Sequence, residues 1–501
     1  MSLSLPDRPN LEHLKKQAKD LLRALQDGEA AAAERFRALA STSPGEGRVL
    51  KLADAQHVIA HEYGFATWAE LKARVEALAK PFDPFEAMKA ALRANDAKAV
   101  RRLFAEHAVL RERINQPLPD FNFESTALLG ALGNRDTIDA VLDAGADINV
   151  KSRWWAGGFG VLDNVAPDLA AYLIQRGATL EPTAAARLGL LDPLKQMIAA
   201  RPELVHARGG DGQTPLHQAA TIEIAEYLLA QGADIDARDV DHESTPAQYA
   251  VRERNEVARY LVSRGCTTDI LLAAAVGDRA RVERHLEENP LSIRTSVTSE
   301  FFPMRNLHAG GSIYIWTLGH HKTAHIVARD FHHEDIFRLL MDRSPSELQL
   351  ATACQVGDKT LARDLTHRDL SLSKESQEKL VYTAQTNNTR AVELMLQTAW
   401  PSEVQATHGQ TALHWAAFHG NFDMTRVLLQ HRAPIDVVER QFSGTPLGWA
   451  LHGTRHGWYR QIARYPDVVD ALLAAGAKLP DNWEELDLPE PIRAVLRRWQ
   501  K

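Results

Sequence analysis

Thr214-Pro215-Leu216-His217-Gln218-Ala219 is the stretch of sequence that decides the fold. Variants of it recur as Thr411-Ala412-Leu413-His414-Trp415-Ala416 and as Thr445-Pro446-Leu447-Gly448-Trp449-Ala450. Threonine favours the N-cap of a helix, and proline suits the first helical position, where its missing N–H is harmless. The small alanine lets a second helix pack closely. The pattern therefore predicts a short helix at each copy, paired with another helix.

A second pattern follows the first two copies. It reads Tyr227-Leu228-Leu229-Ala230-Gln231-Gly232-Ala233-Asp234-Ile235-Asp236 in one case and Val427-Leu428-Leu429-Gln430-His431-Arg432-Ala433-Pro434-Ile435-Asp436 in the other. The leucines predict an outer helix, and Gly232 fits the left-handed residue that ends many helices. Arg432 departs from the pattern at the equivalent place.

Together the two patterns resemble the ankyrin repeat. The resemblance implies an all-α ankyrin-repeat solenoid, built from helix-turn-helix repeats with short finger loops. It spans about 400 residues, or about eleven units of about 33 residues, some of them degenerate. Inner helices are expected near Thr126, Val161, Thr183, Thr214, Thr245, Asp269, Thr323, Leu348, Leu380, Thr411 and Thr445.

The chain divides into three predicted parts: an N-terminal helical module over 1–80, the repeat array over 83–480, and a C-terminal capping helix over 481–501. Within the module, Leu52-Ala53-Asp54-Ala55-Gln56, Glu62-Tyr63-Gly64-Phe65 and Trp68 resemble a module of bacterial ankyrin-repeat proteins. That resemblance implies no known chemistry. We expect the module to cap the first repeat, since repeat arrays need polar ends.

Composition narrows the class of protein. The 501 residues carry a net charge of -7, spread along the chain without a basic block, so nucleic acid is not an expected partner. The two cysteines, Cys266 and Cys354, lie far apart in apolar helix patterns, which favours a reduced compartment. No apolar run reaches the ~18 residues of a membrane span, and the N-terminus lacks an apolar signal core. We expect a cytoplasmic protein without a membrane partner.

Three segments depart from the repeat, near 150–160, 295–316 and 452–462, and they are rich in aromatic residues or histidine. Adjacent side chains of an extended chain point to opposite sides, so one of Trp154 and Trp155 should be exposed. Tyr314 and Trp316 should share one side of an extended run. The third segment is expected between the last inner and outer helices. The predicted binding residues are Trp154, Trp155, Tyr314, Trp316, Trp415, His452, His456 and Trp458.

Histidine spacing raises the question of a metal site. His321-x-x-x-His325 would place two imidazoles on one helical face, but the repeat pattern puts His325 in the core, and no glutamate follows His321 as in a metalloprotease helix. The acids Asp239, Asp241 and Glu243 are expected on a solvated finger tip, with ordinary pKa values. The sequence therefore predicts neither metal nor cofactor, and catalytic residues stay unknown.

The sequence favours a binding or scaffold protein over an enzyme. Repeat arrays present a concave recognition surface, and we expect this one to recognise a protein partner through its aromatic residues. The alternative is an enzyme or small-ligand receptor, in which the segments 296–316 and 452–460 and neighbouring histidines and tryptophans form a site in the groove.

Overall fold

The computed structural model describes residues 3–6, 9–39, 50–79, 82–366, 371–398, 400–480 and 483–500. Within these ranges the regular elements are all helices, and one isolated bridge pairs Ser296 with Thr323. The predicted all-α class is thereby confirmed. Contacts along the chain define two compact units, 1–83 with 481–487 and 84–480 with 488–501.

The N-terminal unit is built around an amphipathic helix. The Asn10 side chain caps its start by accepting hydrogen bonds from the backbone N–H groups of Glu12 and His13. Its leucines pack with apolar residues of the following helices into a small core of their own. The helices of this unit are α1 (Leu11–Gln26), α2 (Ala30–Leu39), α3 (Leu52–Glu62) and α4 (Trp68–Ala79), with a short 3-10 helix at Trp483–Glu485.

The second unit is an array of helix pairs. Its helices are α5 (Pro84–Arg93), α6 (Ala97–Glu106), α7 (Ala108–Glu112), α8 (Ala127–Gly130), α9 (Arg135–Asp143), α10 (Pro167–Gln175), α11 (Pro182–Arg187), α12 (Leu191–Ala200), α13 (Ile222–Ala230), α14 (Pro246–Ala250), α15 (Asn255–Ser263), α16 (Ile270–Val276), α17 (Arg279–Glu288), α18 (Tyr314–Thr317), α19 (Ala324–Asp330), α20 (Glu334–Arg343), α21 (Ser346–Val356), α22 (Lys359–Thr366), α23 (Lys374–Gln385), α24 (Thr389–Thr398), α25 (Ala412–Phe418), α26 (Phe422–Gln430), α27 (Pro446–His456), α28 (Tyr465–Ala474) and α29 (Glu490–Trp499). Short 3-10 helices occupy Asn122–Glu124, Pro202–His206, Gly210–Gly212, Pro215–Gln218 and Pro290–Arg294.

Buried histidines join the inner helices to the finger loops. The Thr214 N–H donates to Nδ1 of His217 over 3.1 Å, and Nε2 of His217 donates to the Ser244 carbonyl in the next finger over 3.0 Å. His414 makes the same pair of bonds with Thr411 and Gly444. Both histidines thus link the start of an inner helix to the following finger loop.

The core continues from one repeat to the next. Leu216, Leu228, Leu261 and Leu271 are among the buried side chains of one cluster that extends from Ala185 to Leu348. A solenoid of this kind gains its apolar burial between neighbouring repeats, since a single helix pair cannot cover its own apolar face.

One predicted inner helix is absent. Residues 161–166 form turns and bends, so the expectation of a helix near Val161 is wrong. The Asp163 side chain accepts the Gly160 N–H over 2.7 Å, and Arg187 donates to the carbonyls of Leu162 and Val165. These side chains satisfy backbone groups that helical hydrogen bonds satisfy elsewhere.

The segment 295–316 folds back over an earlier finger loop. Backbone N–H groups of Arg305 and Asn306 donate to the Glu243 carboxylate, and the Gly310 N–H donates to the Asp241 carbonyl over 2.9 Å. Residues 314–317 then form the helix α18. The predicted extended run through Tyr314 and Trp316 is therefore wrong.

The segment 452–460 also differs from expectation. Helix α27 continues to His456, so His452 and His456 are one helical turn apart and their rings stack at 4.3 Å. The sequence predicts an insertion between the last inner and outer helices. The first half of this segment, up to His456, instead extends the inner helix α27.

A substitution at Gly232 would test the left-handed end predicted for helix α13. Gly232 has φ +91°, and a Cβ built there meets no atom within 4 Å, so any cost of a side chain comes from the backbone conformation. Gly232→Val should lower the free energy of unfolding by about 1 kcal/mol or more, measured by denaturant titration. The control is Gln231→Val, because Gln231 is exposed and has φ -86°. Equal effects of the two substitutions would contradict the assigned helix end.

Candidate functional site

Aromatic side chains gather near the C-terminal end of the array. We name Trp415, Phe418, His419, Trp449 and Trp458 the C-terminal aromatic cluster. The ring centroids of Trp415 and Trp449 are 5.1 Å apart with their planes nearly perpendicular, and those of Trp415 and Trp458 are 5.5 Å apart. Edge-to-face packing such as that of Trp415 and Trp449 stabilises a fixed arrangement of rings. His452 stacks on Phe418 at the side of the cluster.

This cluster has a buried floor and an exposed rim. Trp415 is 9% exposed, and its indole Nε1 has no hydrogen-bond partner among the described residues. Trp458 is 56% exposed, and His452 and His456 are also exposed. The predicted residues Trp415, His452, His456 and Trp458 thus lie in one part of the structure.

Trp154 and Trp155 lie elsewhere in the array and differ in exposure. The Trp154 indole is partly buried, donates to the Asp211 carboxylate over 3.0 Å and packs edge-on against Phe123. Trp155 is 38% exposed and lies 6.0 Å from the ring of His308. The expectation of one exposed tryptophan in this pair agrees with these positions.

Tyr314 and Trp316 also differ. Tyr314 is fully buried, and its hydroxyl donates to Asp269 over 2.8 Å, which removes it from the predicted contact surface. Trp316 is 59% exposed, and its ring lies 4.8 Å from that of His242. The helical conformation of residues 314–317 explains the difference, because side chains two positions apart on a helix point in different directions.

The finger tip that follows Ala237 is buried. Asp239, Asp241 and His242 are 3%, 5% and 8% exposed, and the segment 295–316 packs on Asp241 and His242. We name Asp211, Asp239, Asp241 and His242 the buried finger cluster. The expectation of a solvated finger tip is wrong, because the segment that covers it is distant in sequence.

Burial changes the acid strength of these groups. Burial raises the pKa of Asp211 to about 6, and the nearby Asp241 carboxylate adds to this effect. Burial also raises the pKa of Asp239, although the Ser244 and His242 N–H groups and the Tyr249 hydroxyl donate to it. The expectation of an ordinary pKa is therefore wrong for Asp239.

A cavity of about 450 Å³ lies between the segment 296–301 and the inner helices α21 and α23. We name it the insertion cavity. His321 and Tyr382 stack at 4.2 Å in its wall, and the Nε2 atom of His321 is 2.9 Å from the Gln385 amide oxygen. Burial lowers the pKa of Lys379, and the nearby Glu375 carboxylate opposes this effect. The segment 452–460 does not line this cavity.

The remaining histidines of this region belong to the fold. His321 has φ +59° and precedes helix α19, so it does not share a helical face with His325. His325 is fully buried with Nε2 2.7 Å from the Ser344 hydroxyl, and His332 occupies the turn at φ +63°. The predicted core position of His325 agrees with the structure.

A model of ankyrin repeats matches residues 183–271, 318–441 and 380–482, which together include just over half of the chain. The chain belongs to the ankyrin-repeat family. Ankyrin repeats generally mediate protein–protein interaction. A search of curated proteins finds no significant match. Among the described residues of this ankyrin-repeat protein, none of the helices is long and apolar enough to cross a membrane.

Sequence reasoning missed the buried finger cluster and the insertion cavity. Both depend on where the segment 295–316 lies, and its sequence shows only that the segment is aromatic. The repeat pattern does place Asp211 and Asp241 in successive fingers of the ankyrin array. It gives no sign that a chain segment some 70 residues later packs on them.

Buried histidines should make the stability of the protein pH-dependent. Burial lowers the pKa of His325 to about 4 and that of His419 to about 4. Unfolded histidine titrates near 6.5, so between about pH 6.5 and 4 the unfolded chain binds protons that the folded chain excludes. The free energy of unfolding should therefore fall as the pH drops through this window, by up to about 1.4 kcal/mol per pH unit for each such group.

The variant His325→Gln should reduce this dependence, measured by denaturant titration at pH 7, 6, 5 and 4. The exposed His431 provides the control, and His431→Gln should leave the slope unchanged. A wild-type slope retained in His325→Gln would contradict the burial of a neutral imidazole at this position.

Proposed function

We propose that this ankyrin-repeat protein binds an acidic segment of a partner protein, which inserts one bulky apolar side chain into the C-terminal aromatic cluster. The cluster offers what an anchor needs, namely a buried aromatic floor at Trp415 and an exposed rim at Trp458. Four large apolar residues are exposed within the stretch 438–462, namely Val438, Phe442, Trp458 and Ile462. The single observation that carries the proposal is the exposed Trp458 on a packed ring cluster, in a stretch of sequence where three further large apolar side chains are exposed.

Local charge supports the choice of an acidic partner. Residues 440–466 contain no aspartate or glutamate but include Arg440, Arg455, Arg460 and Arg464, although the whole chain has a net charge of -7. Arg440, Arg455 and Arg460 are exposed. Arg464 pairs with Asp467 over 2.8 Å. A basic surface around an aromatic site steers acidic segments toward it and disfavours basic ones.

Two broader assignments belong to the same proposal. We propose that the protein acts as a non-catalytic scaffold, since the cluster consists of aromatic contact residues rather than a nucleophile with its base. We also propose a cytoplasmic location, which the free, buried thiols of Cys266 and Cys354 support.

Selection of a displayed random-peptide library on the full chain would test the proposal. Enriched peptides should combine Leu, Phe or Trp with Asp or Glu, and replacing these acids by Lys should abolish binding in fluorescence anisotropy. Trp458→Ala should weaken the best peptide by about 30-fold, or about 2 kcal/mol, with an unchanged melting temperature.

Trp499→Ala is the matched control, because Trp499 is an exposed tryptophan of the terminal helix outside the cluster. It should leave the affinity unchanged. Enrichment of basic peptides, or equal losses in the two variants, would count against the proposed site.

A small-ligand receptor is the second candidate function, and the insertion cavity favours it. The buried Thr298 hydroxyl and the Gln410 amide oxygen, both in the lining, have no hydrogen-bond partners among the described residues. With the Lys379 ammonium, they suit a zwitterionic small molecule, whose carboxylate would meet the lysine and whose ammonium would meet Gln410.

Thermal shift with each free amino acid at millimolar concentration would test this second function. A ligand should raise the melting temperature of the wild type, and Lys379→Met should abolish that rise. The control Lys374→Met alters an exposed lysine of the same helix and should retain the rise. If no amino acid shifts the wild type, the cavity does not serve as this receptor.

A further inference from the structure

We propose that Asp211, Asp241 and His242 form a site for a divalent cation of the zinc or manganese class. This inference concerns the buried finger cluster and is independent of partner binding at the C-terminal aromatic cluster. One ligand atom from each of the three residues lies within 4.8 Å of the other two. Two successive finger loops supply them, one through Asp211 and the other through Asp241 and His242.

The hydrogen bonding of His242 points to a ligand. Its Nδ1 lies 2.8 Å from the Gly311 carbonyl oxygen, which only accepts hydrogen bonds, so Nδ1 carries a proton. In the neutral ring, Nε2 then presents a lone pair, and it faces Oδ2 of Asp241 at 3.5 Å. Two electron-rich atoms at this distance repel each other unless a cation lies between them. Histidines that bind metals are held in the same way by a carbonyl at the other nitrogen.

Burial makes the need for a cation stronger. His242 is 8% exposed, and the Asp241 carboxylate is the charged group that its Nε2 faces. Asp241 is 5% exposed, and no described lysine or arginine lies within ion-pair distance of Asp211 or Asp241. Buried carboxylates are costly without a counter-charge, and a divalent cation would supply it.

The chemical types of the three ligands indicate which cation would bind. Two carboxylate oxygens and one imidazole nitrogen suit Zn²⁺ or Mn²⁺, with water to complete the coordination, whereas Ca²⁺ and Mg²⁺ prefer oxygen alone. Hydrogen bonds from neighbouring groups already hold the Asp211 and Asp241 carboxylates in place. Trp154 donates to Oδ1 of Asp211 over 3.0 Å, and the Gly310 N–H lies 3.3 Å from Oδ1 of Asp241.

The site would be structural. Gly310 and Gly311 bring the segment 295–316 onto the ligands, and a Cβ at Gly310 would lie 3.1 Å from Oδ2 of Asp241. A bound cation would join the two finger loops directly, and it would hold the segment 295–316 through the hydrogen bonds that Gly310 and Gly311 make with Asp241 and His242. In the competing arrangement, His242 is doubly protonated and pairs with Asp241. This arrangement needs no cation, and it predicts that none binds at the site.

Calorimetric titration of the chelator-treated full chain with ZnCl₂, MnCl₂, CaCl₂ and MgCl₂ would test the site. Zn²⁺ or Mn²⁺ should bind at one site per chain that Ca²⁺ and Mg²⁺ do not fill. His242→Gln should weaken this binding at least about ten-fold, and Asp211→Asn should do the same. Zn²⁺ should also protect residues 301–307 from limited proteolysis in the wild type but not in these variants.

The controls are His308→Gln and Asp234→Asn, which alter an exposed imidazole and an exposed finger carboxylate. Both should bind the cation as the wild type does. Circular dichroism would verify that each variant folds. If His242→Gln does not fold, Asp211→Asn decides the outcome, because Asp211 is only partly buried. Absence of Zn²⁺ and Mn²⁺ binding, preference for Ca²⁺ or Mg²⁺, or unchanged affinity in Asp211→Asn would overturn the proposal.

Discussion

A buried imidazole connects the helices of this array to its recognition loops. In the two best-preserved repeats, one ring nitrogen accepts the backbone N–H at the start of the inner helix, and the other donates to a carbonyl of the following finger. Each ring therefore satisfies two backbone groups that no regular helix satisfies. The position of the finger, and of everything that packs on the finger, depends on this neutral histidine.

The aromatic segment 295–316 depends on the same arrangement. The carbonyl that accepts from His217 belongs to Ser244, and the hydroxyl of Ser244 in turn accepts the Ile313 N–H over 3.1 Å. The segment thus rests on a finger that an inner helix holds in place. The segment packs on this finger tip, and the carboxylates of Asp239 and Asp241 are buried there.

Local rules predicted most of the fold and only part of the candidate sites. The N-cap threonines, Gly232 and the leucine pattern act within one repeat, so they placed helices α13, α25 and α26 from sequence. Arg432 shows that the backbone geometry persists without glycine, since it has φ +59°. Burial of Tyr314 and Asp241 follows from contacts between distant segments, and no local pattern carries that information. The helix expected near Val161 does not form, and the Asp163 side chain accepts the Gly160 N–H there.

The return of the segment 295–316 to the finger at Glu243 has a consequence for how this molecule comes apart. In a simple solenoid each repeat touches only its neighbours, so unfolding can begin at an end and proceed repeat by repeat. Here one hydrogen bond joins Arg305 to Glu243, 62 positions apart, and another joins Tyr314 to Asp269, 45 positions apart. The intervening helix pairs cannot open without breaking them. The middle of the array should therefore behave as a single cooperative block, flanked by repeats that fray independently.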